Sequence, residues 1–147
     1  MQRLLLLTAV LITVQVFFTG CSGSDPEPEL ITESVLIDKI AKSTGITRSQ
    51  AQIGLSALMM LSEEKLTADE FAKLTTELPG GVSLFNFAAD LGFTKGSINT
   101  QADIVQILVN LGVNPVDAGK FLTTVLSVSK NIEGGAFGLL SKVYENR

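Results

Sequence analysis

Three times in this chain a threonine is followed, three residues on, by a side chain that can reach back to it: Thr47–Gln50, Thr67–Glu70 and Thr100–Asp103. At that spacing the hydroxyl accepts from the third helical amide while the longer side chain accepts from the threonine's own amide. Each pair stands at the head of an apolar run with helical spacing, and glycines or proline close the runs. This punctuation restricts the chain to short helices. Thr32 caps a first helix through about Thr44, with Leu36, Ile37, Ile40 and Ala41 on its apolar face and Gly45 as its stop. Thr47 opens a second, to about Ser62, and Thr67 a third, ended by Pro79-Gly80-Gly81. Val82 to Leu91 forms a short fourth, closed by Gly92.

Thr100 opens the fifth helix, rich in Ile104, Val105, Ile107, Leu108, Val109 and Leu111 and stopped by Gly112. Its β-branched residues also fit a buried strand; the cap and the length favour helix. Asn114-Pro115, with Asp117 in the first turn, starts a sixth helix that extends to about Lys130. Gly134-Gly135 breaks the chain before a last helix, Ala136 to Glu145. The expected fold class is all-α, a compact domain of six or seven short helices over residues 32–147. The second helix, Ile53 to Leu61, is apolar nearly all round and reads as central and buried.

A repeat runs through these elements. Ile37, Ile40, Ala41, Gly45, Ile46, Thr47 and Ala51 align with Ile104, Ile107, Leu108, Gly112, Val113, Asn114 and Ala118 at a constant offset of 67. Phe71 and Leu74 align with Phe137 and Leu140 at 66. Any two helix–glycine–cap–helix units give some such match. The sequence therefore leaves open whether two three-helix units were duplicated.

The N-terminus carries a different signal. Met1-Gln2-Arg3 precedes an uncharged stretch, Leu4 to Phe18, and then Thr19-Gly20-Cys21, which holds the chain's one cysteine. A basic start, an apolar centre and a small-residue exit are the parts of a secretory signal peptide. The cysteine directly after them makes residues 1–20 resemble a bacterial lipoprotein signal, which implies that Cys21 is acylated and becomes the first mature residue. Phe18 departs from that pattern, where an aliphatic residue is usual three positions before the cysteine. Ser22, in place of Asp, implies export to the periplasmic face of the outer membrane. The apolar run is short of the roughly 20 residues a spanning helix needs. An uncleaved anchor and a cleaved, unacylated signal are the alternatives.

Residues 21–31 read as the acylated cysteine and a flexible, proline-interrupted acidic tether, Ser22 to Glu29, that reaches at most about 30 Å. Only Arg3 is charged in residues 1–20, so 10 basic and 15 acidic side chains remain. That balance excludes nucleic acid as a partner, since its binding needs clustered Lys and Arg, and it disfavours docking on anionic head groups. With one cysteine there is no internal disulfide.

No histidine is present, which removes the commonest general base and metal ligand. The serines have no triad partner. Glu63-Glu64 and Asp69-Glu70 lack the alternation of a calcium loop, and the glycine clusters lack the lysine of a phosphate-binding loop. The expectation is a non-enzyme with no cofactor and no metal. Met59 and Met60 with Phe85 and Phe87 are the candidate binding residues, because methionines and phenylalanines line adaptable apolar surfaces. At helical spacing in a domain with no tryptophan, such residues are more often simply core. The expected function is a membrane-anchored envelope protein whose helical domain docks an envelope protein or self-associates; the alternative is a carrier of a small apolar ligand.

The stretch Gly45-Ile46-Thr47, Gln50-Ala51, Gly54, Ala57-Leu58, then Leu66-Thr67, Glu70-Phe71, Leu74 and Pro79-Gly80 resembles the VcgC/VcgE family of unknown function. Leu111 to Pro115 and Phe121 fit its second half, so the resemblance spans most of the mature domain. Gln52-Ile53-Gly54 departs from a more glycine-rich start to the second helix in that family. The resemblance implies a helical fold and no catalytic residues.

Overall fold

The computed structural model describes residues 30–145, so Cys21, the apolar leader and the acidic tether lie outside the described residues. Among the described residues there are seven helices and no strand: α1 (Glu33–Thr44), α2 (Arg48–Lys65), α3 (Ala68–Glu77), α4 (Gly81–Asp90), α5 (Gln101–Asn110), α6 (Pro115–Ser129) and α7 (Ala136–Glu145). The caps fall where the sequence places them. Thr47, Thr67 and Thr100 each accept from the third helical amide, and Gln50, Glu70 and Asp103 return the bond to the threonine amide. Asn114 Oδ1 accepts from the amides of Val116 and Asp117. The fifth segment is helix rather than strand, as its cap requires. α2 runs one turn past Ser62, to Lys65, because no breaker intervenes before Leu66.

The offset of 67 residues is also a spatial relation. Gly45 and Gly112 both take left-handed backbone, at φ 78° and 86°. The amide after each, of Ile46 and of Val113, donates to the carbonyl of Ala41 and of Leu108, two positions again 67 apart. α1 packs on α2 and α6, and α5 packs on α6 and α2, so the four helices close a ring in which each contact has its counterpart. Gln50 fastens the ring: its Oε1 caps the Thr47 amide and its Nε2 donates to the Leu111 carbonyl at 2.9 Å. Its counterpart, Asp117, is a carboxylate with no proton to donate and bonds only within its own turn, to Asn114 and Lys120.

Gly54 and Phe121 are themselves counterparts, and they meet in the core. A Cβ placed on Gly54 would lie 2.6 Å from Phe121 Cζ. Phe121 is fully buried, so its ring has nowhere to retreat.

α4 breaks the symmetry. It packs on α2 and α3, and it is why α2 is buried along its whole centre, from Gly54 to Ser62. On α6 the counterparts of Ser56 and Met60 are Thr123 and Ser127, both exposed. α3 and α7 pack on each other, tied by Lys142 to Glu70 and by the Gly135 amide, which donates to Glu77 Oε2 at 2.6 Å.

Gly54→Ala is expected to destabilise the protein by about 1–3 kcal/mol despite alanine's better helix propensity, because the added methyl overpacks the core. Pairing it with Phe121→Leu is expected to recover part of that loss. Urea unfolding of the two single variants and the double variant measures the coupling; simple additivity would show that the Gly54–Phe121 approach is not the source.

Two carboxylates link fold to pH. Hydrogen bonding from the Lys142 ammonium, and then from the Thr67 amide, holds Glu70 below the usual glutamate range. The amides of Asn99 and Thr100 hold Asp103 below the usual aspartate range. Both groups are depressed in the folded state, so their stabilisation is complete above the ordinary carboxylate range and is lost as pH falls through the lower folded values. Melting temperature is expected to fall from about pH 5 towards pH 3, with a shallower fall in Asp103→Asn; an unchanged acid limb in that variant would remove Asp103 from the account.

Candidate functional site

The four residues picked out for binding divide sharply. Met59 is 0 % exposed and Met60 is 4 % exposed, with α4 lying over α2, so neither methionine reaches the surface. Their role in the described structure is core packing, which corrects their place in a contact surface. The physical reason is that the centre of α2, Gly54 to Ser62, has no solvent face, since α4 packs on α2 as well as its partners in the ring. Phe85 is half-buried and meets Phe71 of α3 edge to face, with ring centroids 5.1 Å apart and planes at 67°. That contact is part of the α3–α4 packing. Phe87 alone of the four lines a surface hollow.

The hollow is an open groove of about 960 Å³ where the described chain begins. Leu30 and Ile31 enter along it, Leu78 and Pro79 form the α3–α4 corner, and Val82 and Phe87 come from α4. Its shape depends on two glycines. Gly80 has φ 75°, and a side chain there would run into Glu33. A Cβ on Gly81 would lie 2.6 Å from the Thr75 carbonyl oxygen. With no side chains at 80 and 81, the start of α4 sits directly on α3 and α1. Glu33 locks the corner by accepting from Ser83 Oγ at 3.2 Å.

The groove combines apolar surface with a polar rim of Thr32, Thr75, Thr76 and Asn86, and the acids Glu77 and Asp90; among the described residues no cation lines it. Leu30 is 82 % exposed and Val82 57 %, so two large apolar side chains stand in solvent on its walls. Glu77 is engaged with the Gly135 amide. Ser83 on the rim donates to Glu33, a bond that ties α4 to α1, and the groove presents both apolar and polar surface.

A second, more enclosed hollow of about 200 Å³ lies between the end of α2, the start of α5 and α7, lined by Leu61, Lys65, Asn99, Thr100, Gln101 and Val143 among others. Hollows that enclose organic ligands usually run from about 300 to 1,000 Å³. Among the described residues no group of three or more His, Cys, Asp or Glu is placed to hold a metal, and no helix is long and apolar enough to cross a membrane. Two buried hydroxyls, Ser56 Oγ and Tyr144 Oη, have no hydrogen-bond partner. Burial pushes the Tyr144 phenol well above its ordinary range, so it stays neutral. Neither lines the two hollows described. Ser56 falls in the stretch Ile53 to Leu61 that the sequence marks as buried, whereas no sequence signal marked Tyr144.

Met59→Ala is expected to cost about 2–5 kcal/mol, as for other long core side chains cut to alanine, while Val82→Ser stays within about 0.5 kcal/mol of the parent. Denaturant midpoints of the two variants decide it: equal, small losses would return Met59 to the surface.

Among curated proteins and among solved structures nothing matches this chain. Residues 20–109 match the family described as protein of unknown function VcgC/VcgE, a span that takes in the first three-helix unit, α4 and nearly all of α5. The match covers well over half of the chain, which therefore belongs to the VcgC/VcgE family of unknown function.

Proposed function

We propose that this protein is a bacterial envelope lipoprotein, acylated at Cys21, whose helical domain is a non-enzymatic docking module held close to the membrane. The observation that carries the reading is the order of the N-terminal residues: Arg3, the uncharged stretch Leu4–Phe18, then Thr19-Gly20-Cys21 and an acidic tether. The family match starts at residue 20, next to the residue that would become the mature N-terminus. The first helix begins at Glu33, leaving an eight-residue spacer, Ser22 to Glu29, before the described chain. In this reading the protein sits on the periplasmic face of the outer membrane.

A docking role is supported by the character of the α4 corner, with apolar side chains exposed beside polar ones and no reactive pair. The partner is an envelope protein or a second copy of the chain. Carriage of a small apolar ligand has less support, since the large groove is open and the more enclosed hollow of about 330 Å³ beside it has Glu77, Asn131 and Glu133 in its lining.

Native mass spectrometry of protein gently extracted from bacterial membranes tests the anchor. The expected species starts at Cys21 and carries a diacylglycerol and an N-acyl chain, and Cys21→Ser is expected to leave the membrane fraction. An intact, unacylated chain that still starts at Met1 would overturn the reading.

A further inference from the structure

The groove at the α3–α4 corner and the point where the chain leaves for Cys21 are one place. Leu30 and Ile31, the first described residues, are themselves walls of the groove, and Val82 and Phe87 face them from α4. From this juxtaposition we infer that the groove face is the side of the domain that rests on the bilayer, with Leu30 and Val82 entering the lipid interface. The inference builds on the lipid anchor proposed above and names what the anchored domain touches first.

Three observations favour a lipid surface as the occupant. The first is length. Between Cys21 and Leu30 there are eight residues, at most about 30 Å when fully extended, so an acylated Cys21 keeps this face nearer the bilayer than any other. The second is exposure. Leu30 and Val82 are 82 % and 57 % exposed, and each is a large apolar side chain that the fold leaves uncovered. Two such side chains form too small a patch to capture a membrane from solution. A short tether changes that balance, because it makes docking intramolecular at an effective concentration in the millimolar range.

The third observation is charge. Glu77 and Asp90 line the groove and no Lys or Arg does, while Asp25, Glu27 and Glu29 lie on the tether. An anionic surface would repel this face. The occupant is therefore a zwitterionic lipid surface, its head groups meeting the polar rim of Thr32, Ser83 and Asn86 while the two apolar side chains sit at the boundary with the acyl chains.

The chain has no tryptophan, so one introduced at an exposed valine reports from that position alone. Val82→Trp places the indole in the groove wall. Val116→Trp places it on α6, at a side chain 66 % exposed and outside the groove. Each variant is extracted from bacterial membranes as the acylated protein and reconstituted into phosphatidylcholine vesicles that contain brominated phosphatidylcholine. The expected result is loss and blue shift of the indole emission in Val82→Trp, with the emission of Val116→Trp unchanged. Adding Leu30→Ser to the Val82→Trp protein, or phosphatidylglycerol to the vesicles, is expected to reverse the effect. Equal quenching in the two variants, or none in Val82→Trp, would overturn the inference. Should Cys21 carry no acyl group, the full chain is coupled through that thiol to a maleimide phospholipid and measured in the same way. The anchor and the docking face thus fail or stand separately.

Discussion

The approach of Phe121 to Gly54 is the contact on which this architecture turns. The two positions are 67 residues apart in a chain whose caps, turns and helix contacts repeat at that interval. A full-sized ring from one half is received by a position with no side chain in the other. Equivalent positions that meet must lie near the axis relating the halves, and two large side chains could not both occupy that space. One half supplies the ring and the other supplies the room for it. That division lets α2 and α6 come close enough for the ring α1–α2–α5–α6 to close around a continuous core from Leu36 to Val143.

The same axis shows where the halves had to part. α2 and α6 begin alike, each with a capped first turn and a buried alanine, Ala51 and Ala118. Beyond Gly54 they diverge, because α4 covers α2, whereas α6 packs only on α1, α5 and α7 among its principal neighbours. Composition follows that difference. Met60 is buried, and its counterpart Ser127 is exposed. α4 thus completes the core with its inner side, Leu84 and Ala88, and leaves Val82 on its outer side without cover. The corner from Gly80 to Ser83 is held by Glu33 and by the contact of Gly81 with Thr75, so the exposed valine stands on a fixed support.

Most of the fold was legible in the residues because its boundaries are set by local chemistry. A threonine with a glutamine or carboxylate three residues on, an Asn-Pro pair, or a glycine after the last apolar residue acts within one turn, and each marks its helix end to within a residue or two. The end of α2 was less legible, since Glu63, Glu64 and Lys65 neither break a helix nor extend its apolar face. The candidate site was legible only in part. Met59, Met60, Phe85 and Phe87 have the same apolar character on paper; what separates them is which side of α2 or α4 meets another helix, and that is decided by segments far away in sequence. The groove was illegible for the same reason, as it joins residues 30–32 to residues 75–90. The repeat was visible as spacing, but its meaning needed the Gly54–Phe121 contact.

What this fold can do follows from where its apolar side chains are spent. α2, α6 and the ring around them use nearly all their large side chains on one another. In the proposed docking role, contact is made by the outer surface. There the strongest asymmetry is the α3–α4 corner, where bare glycines, a locked turn and exposed Leu30 and Val82 coincide with the end of the tether. A domain confined near a membrane needs little affinity at such a face to be oriented by it, because confinement has already removed most of the entropic cost of association. In the proposed anchored state, orientation in turn decides which of the remaining surfaces, the polar side of α6 among them, is presented away from the bilayer.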